Sequence, residues 1–572
     1  MQATQGFVRT PTRAVSRGFM GFPMIGALLI ASFGADAQTA AEIEARQLQR
    51  QQEREQALRG QLESSPDVRL LAPPSESDDR IPDDESPCFR IDRIEFSGVD
   101  RDRIQLPAHV TRTSDPAVER CLGTQGISEV MRRVQNALVA DGLITTRVLA
   151  QPQDLSTGTL ALTVMPGRVR SVRYADGSTG RIHPVAAMPA RPGELLNLRD
   201  IEQGLENLRR LSSGDADIRI ELGEAPGESD IVIERQQGFP LRLSLALDDS
   251  GSRSTGKYMG ALSLAWDNPL GLGDLFHASL IHDLGGGERG RPGTEGHSLH
   301  YSVPFGYWLF GVNASAHDYH QTVAGIVQDY RYSGRSERFD VRASRVVQRS
   351  ATGKTTLSLG AYLRKSRNYI DDAEILVQRR RSTGWEAGIA HRAYRGAATL
   401  DLEANWRHGT GAFRAQYGAG VERPRILTAR ASFGVPFQLG GARLRYQADL
   451  RGQREYSRLL QQDQFSIGGR HTVRGFDGEQ VLSGERGWLL RNELSVALGN
   501  SGQSAFIGLD HGRTGGNATA SQPGRRLTGA VIGLRGSWQG LQYEVFTGRP
   551  ISKPSGFRTG SAASGFNLVW TF

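Results

Sequence analysis

Few residues of this chain have the types and spacing that chemistry demands, and the most informative are ionic. Val473-Arg474-Gly475-Phe476 sets an arginine between residues that allow a tight turn. Further on, Phe506-Ile507-Gly508-Leu509-Asp510-His511-Gly512 sets an aspartate on a glycine-rich strand. The chain then stops on Gly565-Phe566-Asn567-Leu568-Val569-Trp570-Thr571-Phe572, where Phe566, Leu568, Trp570 and Phe572 share one face because side chains alternate across a strand. That face is fit to meet lipid, and the three features together point to a membrane β-barrel.

Other apparent motifs fail. Gly353-Lys354-Thr355 ends like a phosphate-binding loop, but the position five before Gly353 is Gln348, and the segment links two expected strands instead of opening a helix. His282, His317 and His511 make no metal-ligand spacing and no triad with a neighbouring serine, so they read as lumen or loop residues. No metal, cofactor, nucleotide or catalytic residue is expected. Cys88 and Cys121 are the two cysteines and fall in one small region. Zinc wants about four ligands and no His or Cys cluster accompanies them. In an oxidising compartment the pattern favours one disulfide, which constrains a small domain and carries no chemistry.

The start of the chain indicates that compartment. Arg9, Arg13 and Arg17 precede an apolar stretch, Met20 to Phe33, that ends in Ala35-Asp36-Ala37: a signal peptide over 1–37. A membrane anchor is the competing reading, but the stretch falls short of the roughly 18 to 20 residues of a spanning helix. No later stretch is long enough either, so membrane residence must come from strands in a closed barrel. With 38% hydrophobic residues and 69 glycines the composition fits a barrel with a wet lumen. The net charge of +8 raises nucleic-acid binding, but the arginines are scattered between expected strands, and a secreted chain meets little nucleic acid.

The elements that must position these residues follow in order. Residues 38–63 favour a polar helix, with Ile43, Leu48, Leu58 and Leu62 too sparse for a core-facing stripe; such a helix sits in solvent or in a wet channel. Residues 64–87, with Pro66, Pro73, Pro74, Pro82 and Pro87, read as a linker. A small domain over 88–165 is expected as strand, helices, strand, strand, with its helix over Ile127–Ala140 closing at Gly142. The region 166–237 repeats that order, with a helix over Asn197–Leu211. From 238 to 572 short alternating segments recur between Gly-, Asp-, Asn- and Ser-rich turns, enough for about 16 strands. A soluble array of β-sandwiches is the rival; the signal peptide, the aromatic last strand and the unbroken hairpins argue against it.

The two small units resemble POTRA domains, periplasmic modules that receive unfolded polypeptides. Four further motifs stand in the chain: Asp248-Asp249-Ser250-Gly251 through Thr255-Gly256, Trp266-Asp267-Asn268-Pro269-Leu270-Gly271, Tyr301-Ser302-Val303-Pro304-Phe305-Gly306-Tyr307-Trp308 and Arg491-Asn492-Glu493-Leu494. With these and the arginine motif, the whole mature chain resembles the haemolysin secretion/activation transporters of two-partner secretion, the ShlB/FhaC/HecB family. The resemblance implies that Val473–Phe476 lies at the tip of a long extracellular loop folded into the lumen, Gly475 turning the chain and Phe476 packing beside it. Arg474 would meet Asp510 on a wall marked by Phe506, Gly508 and Gly512. An exposed arginine of little energetic consequence is the alternative.

It also implies an outer-membrane transporter that translocates and thereby activates its partner, a large haemolysin- or adhesin-like secreted exoprotein with an N-terminal secretion domain. Helix 38–63 would plug the pore, and Trp570 and Phe572 would mark the chain for the barrel-assembly machinery and face outer-membrane lipid. The rivals are a barrel-assembly factor, which would carry more POTRA repeats, an outer-membrane enzyme, which would need a nucleophile and base at the rim, and a passive porin, which would need no POTRA pair.

Overall fold

The computed structural model describes residues 47, 50, 51, 53, 54, 66–70, 80–98, 115–287, 293–324, 328–417 and 423–572. The expected signal peptide, 1–37, lies outside them, as does most of 38–63; the described residues of that stretch, 47 to 54, are helical.

Two small α+β domains precede the barrel. The first contains β1 (Phe89–Ile91), β2 (Arg93–Ser97), β3 (Arg120–Leu122), α1 (Thr124–Ala140), β4 (Arg147–Leu149) and β5 (Thr159–Met165). The second contains β6 (Arg168–Tyr174), the short α2 (Pro184–Ala187), α3 (Leu198–Arg209), β7 (Gly214–Leu222) and β8 (Glu228–Gln237). Their three-stranded sheets run β2-β5-β4 and β6-β8-β7. In both, the first strand lies parallel to the last and the middle strand antiparallel to it, so the sequence repeat is a topological repeat.

Each domain forms because its helix has one apolar face to bury. Val130, Val134 and Leu138 of α1 pack with Leu160, Leu162 and Val164 of β5. The helix ends at Gly142, whose φ of +93° suits glycine and whose N–H bonds the Val139 carbonyl at 3.0 Å. Helix α3 starts where the Asn197 side chain accepts the Arg199 N–H, and buries Ile201, Leu205 and Leu208. A disulfide joins Cys88 and Cys121 across the β1–β3 pair, with Cα atoms 5.3 Å apart.

The proline-rich stretch 64–87, expected as a linker, is packed at both of its described ends. At its far end Ile81 is only 1% exposed within the first domain's core, its N–H bonded to Asp115. Glu85 accepts the N–H groups of Gly123, Gln125 and Gly126 and so caps α1 from outside the helix. At its near end Val68 is buried in the second domain's core. Prolines forbid regular structure but not packing, and an extended chain satisfied by side-chain acceptors leaves no periodic signal in the sequence.

The wall of the barrel is an antiparallel meander: β9 (Leu241–Asp248), β10 (Met259–Asp267), β11 (Leu275–Asp283), β12 (Gly293–Phe305), β13 (Trp308–Ala324), β14 (Asp329–Ser350), β15 (Gly353–Ile370) with the two-residue β16 (Ala373–Glu374), β17 (Arg380–Arg395), β18 (Ala398–Thr410), β19 (Arg425–Leu439) and β20 (Ala442–Glu455). A loop hairpin, β21 (Phe465–Ile467) with β22 (Leu482–Gly484), stands apart from the wall. The wall resumes with β23 (Arg486–Ala497), β24 (Ser504–Gly515), β25 (Arg526–Trp538), β26 (Leu541–Ser552) and β27 (Ala563–Thr571). Sixteen strands close when β27 pairs with β9, from Asn567 opposite Asp248 to Thr571 opposite Ser244. The terminal Phe572 N–H adds a bond to the Leu243 carbonyl at 2.9 Å.

The second small domain sits at one mouth, here the near mouth. His183 N–H bonds Gly271 O in the β10–β11 turn at 2.8 Å, and Gly306 N–H bonds Ala186 O in the β12–β13 turn at 3.0 Å. The outer face is apolar: Leu241, Leu243 and Leu245 are 36%, 43% and 39% exposed, and all seven tryptophans lie on strands near a rim. Trp266, Trp308, Trp538 and Trp570 mark the near rim; Trp385, Trp406 and Trp488 mark the far one. Two aromatic levels flanking an apolar band are what a barrel in lipid requires. The inner face is polar and ion-paired, as in Arg407–Glu386 at 2.5 Å and Arg430–Asp449 at 3.1 Å.

Candidate functional site in the lumen

The loop between β20 and β23 leaves the far rim and folds back inside the barrel. Its hairpin β21–β22 carries a tip in which Thr472 Oγ1 accepts the N–H groups of Gly468 and Gly469, each at 3.1 Å. Val473 and Phe476 point into an apolar cluster with Ile467, Leu482, Leu489, Leu527 and Phe557, Phe476 meeting Phe557 edge to face at 5.7 Å. That cluster orients the residue between them. Arg474 turns the opposite way, to the wall.

Its guanidinium grips Asp510 bidentately, Nε to Oδ2 at 2.7 Å and Nη2 to Oδ1 at 2.9 Å, while the Arg474 backbone N–H reaches Oδ2 at 3.0 Å. Nη1 bonds Glu493 on β23 at 2.5 Å. Arg474 is 5% exposed and Asp510 0%, so this is a buried, planar, fork-to-fork pair. Glu493 also accepts from Arg535 on β25 at 2.6 Å, and Arg491 stands 3.9 Å from Asp510. The network fastens the loop tip to three adjacent strands.

The glycines around the pair are required by approach rather than by turning. A Cβ on Gly508 would stand 2.5 Å from Arg474 Nη2, and one on Gly512 2.9 Å from the Val473 side chain. A Cβ on Gly529 of β25 would overlap the Arg474 carbonyl oxygen, and one on Gly548 of β26 would lie 2.8 Å from the Gly475 Cα. Gly475 itself has φ +96°, which an L side chain resists. Wall glycines therefore form a bed that lets the loop backbone lie against the sheet.

All expected members of the two motifs meet here except that Phe506 stands further down β24, under Arg535, whose guanidinium lies 4.1 Å from its ring. Sequence reasoning missed Glu493, Arg535, Gly529 and Gly548. For Glu493 a signal existed, its place in Arg491-Asn492-Glu493-Leu494; for the two glycines only the loop's position gives them meaning. His511 was expected in lumen or loop but, next to inward Asp510, faces outward beside Trp488, at 5.4 Å between ring centroids. His317 does face inward, and His282 is exposed at the far rim. Among the described residues no group of three or more His, Cys, Asp or Glu could hold a metal.

The described residues of the N-terminal helix reach the same lumen. Gln47 Nε2 bonds Ser252 at 3.0 Å and Thr255 at 2.8 Å in the β9–β10 loop; Arg54 Nη2 bonds Ser250 at 2.5 Å; Arg50 bonds the Gly478 carbonyl of the tip. Between them a cavity of about 540 Å³ remains, lined by Arg470, Arg474, Arg491, Arg535, Glu544 and Tyr543 among others.

A sixteen-stranded barrel girdled for lipid, with two small domains at one mouth and a loop locked inside, defines a protein-transporting barrel of the bacterial outer membrane. The chain belongs to the family described as haemolysin secretion/activation protein ShlB/FhaC/HecB, whose model matches residues 227–536. The small domains match a POTRA domain of ShlB type over 89–167 and a POTRA domain over 168–221.

The chain is 37% identical over 568 residues to the outer membrane transporter CdiB-2 of Burkholderia pseudomallei (strain 1026b), covering 94% of this chain and 95% of that one. It is 24% identical to the hemolysin transporter protein HpmB of Proteus mirabilis, covering 75% and 77%. The solved structure of CdiB from Acinetobacter baumannii superposes with a TM-score of 0.82 at 28% identity, covering 93% of this chain and 99% of that one. The protein is thus an outer-membrane transporter of two-partner secretion with its POTRA domains in the periplasm. The near mouth is periplasmic and the far rim is the cell surface.

Proposed function

We propose that the barrel exports a large exoprotein bearing an N-terminal secretion domain, a partner of the kind that the CdiB transporters serve. The greater likeness to those relatives than to the haemolysin transporter supports that choice. The POTRA pair captures the unfolded chain by strand addition at a sheet edge, where main-chain bonds give affinity with little sequence demand. The outer membrane supplies neither ATP nor an ion gradient, so folding of the cargo outside draws it through. Nothing in this reading calls for catalysis.

The observation that carries the mechanism is a doubly occupied lumen. Helix 38–63 is the removable plug: its described contacts are polar, Gln47 bonding Ser252 and Thr255, Arg50 the Gly478 carbonyl, and Arg54 bonding Ser250 and standing 3.7 Å from Asp248. The Arg474–Asp510 lock is the fixed part, holding the loop tip against β23–β25. Trp570 and Phe572, on the outward near rim, serve as the signal read by the barrel-assembly machinery, and the apolar band then contacts lipid. Inspecting the neighbouring genes for a large exoprotein with an N-terminal secretion domain, co-expressing it and assaying surface cargo tests the reading; no export of such a partner overturns it.

A further inference from the structure

At the periplasmic mouth a groove holds extended chain by its backbone. Its walls are α3 of the second POTRA domain and the turn between β14 and β15. Val68 N–H bonds Glu206 Oε1 at 3.2 Å, Leu70 N–H bonds Glu202 Oε1 at 2.9 Å, and Arg349 Nη2 donates to the Val68 carbonyl at 2.6 Å. Val68 is buried in the domain core and Leu70 packs against it. Outside the groove Asp67 accepts the Tyr394 hydroxyl and stands 3.5 Å from Arg392, while Arg69 lies 4.2 Å over the Tyr394 ring.

Two features mark an exchangeable occupant. The directional contacts at positions 68 and 70 go to main-chain groups two residues apart, the repeat of any extended strand, and both side chains turn to the same apolar floor. The charges of the groove are also complete without the strap. Arg349 pairs with Glu202 at 3.0 Å and Glu206 at 2.9 Å, Lys354 with Glu206 at 2.9 Å, and Arg199 with Glu202 at 2.6 Å. Departure of residues 67–70 leaves no buried charge unpaired, which is the costly event in such clusters. Lys354, of the failed phosphate-loop motif, is thus a wall of this groove.

We propose that the groove is a docking station for an extended, unfolded stretch of the passing polypeptide with apolar residues at alternate positions, and that residues 67–70 are its resident placeholder. The proposal rests on the transport reading above. Because the strap leads back to the lumenal helix, cargo that displaces it slackens the plug's tether at the moment of arrival.

The test is thiol labelling of the full-length protein carrying Val68→Cys, in which both natural cysteines are bonded to each other. A maleimide should react slowly at rest. Excess synthetic peptide of residues 64–72 should speed the reaction several-fold, a Gly/Ser peptide of equal length should not, and the unfolded secretion domain of the exoprotein should act like the strap peptide. Leu70→Cys serves if Val68→Cys fails to assemble. No acceleration by the strap peptide overturns the groove; acceleration by peptide but not by exoprotein overturns its role in cargo docking. Labelling that responds to the peptide in a chain that exports nothing keeps the groove and fails the transport reading instead.

Discussion

At the scale of the residue, the central object is one guanidinium with two carboxylates. Arg474 is buried with Asp510, and removing the arginine strands the carboxylate, at about 3–5 kcal/mol for a buried pair, while removing Asp510 leaves Arg474 with Glu493 alone and loses the fork and the bond to the loop backbone. Arg474→Ala is therefore expected to cripple secretion more than it lowers barrel abundance, because the pair seats a loop and builds no sheet. Asp510→Ala should give a similar defect, and the double variant should be little worse than either single one. Secretion normalised to heat-modifiable barrel in the outer membrane measures this; fully additive defects would withdraw the pairing as the functional contact. Arg474→Lys should recover little, since an ammonium cannot reproduce the fork.

A second residue-level expectation belongs to the first POTRA domain. Burial of Asp115 opposes its charge, but hydrogen bonds from Arg133, the Ile81 N–H and Arg120 outweigh that and hold its pKa well below the ordinary aspartate value. A depressed folded pKa means stability present above the unfolded value, about 3.9, and lost as pH falls below it. The protection of this domain's amides, its exchange measured against the unfolded chain at the same pH, should therefore fall between about pH 4 and pH 2. Asp115→Asn should exchange faster already at pH 7 and lose that part of the acid dependence; an unchanged acid profile would remove Asp115 as its source.

At the scale of the element, the described helical residues between 47 and 54 and the loop hairpin share one lumen by different means. The loop is held by a buried bidentate ion pair and an apolar cluster, the described helix residues by hydrogen bonds and one longer ion pair, Arg54–Asp248 at 3.7 Å. Deleting Thr39–Glu63 should raise planar-bilayer conductance while secretion persists at least in part. Conductance equal to that of the parent would sink the plug. The contrast lies in the partners rather than in burial: Arg54 is as buried as Arg474 but has two bonds to one hydroxyl and a carboxylate at 3.7 Å, whereas Arg474 has a bidentate carboxylate and a second one beside it.

At the scale of the whole molecule, capture and conduction are divided between the POTRA pair and the barrel. Removal of Cys88–Met165 or of Gly167–Gln237 should leave an inserted, heat-modifiable barrel that no longer exports its partner. Normal surface cargo without both would refute capture by these domains. The barrel is expected to survive because its closure lies wholly within β9–β27. Loss of the second domain should do the greater harm to the mouth, where Gly306, Gly271 and Arg349 meet it directly.

Local periodicity by itself determined the helices α1 and α3, the repeat of two domains, the alternating wall strands and their approximate number, because side-chain spacing of 3.6 or 2 is written in the chain. The leader expected over 1–37, outside the described residues, suggested the compartment and with it the cysteine pair; the family match shows the outer membrane. The family motif marked Arg474 and Asp510. What tertiary structure alone decided is what touches whom across long separations: Glu493 and Arg535 joining the pair, Gly529 and Gly548 making room for the loop, and His511 facing outward. The same holds for the proline-rich stretch, whose ends proved to be packed parts of two domains. An extended strap or a close backbone approach has no period of its own, so its partners become defined only once the barrel has closed around them.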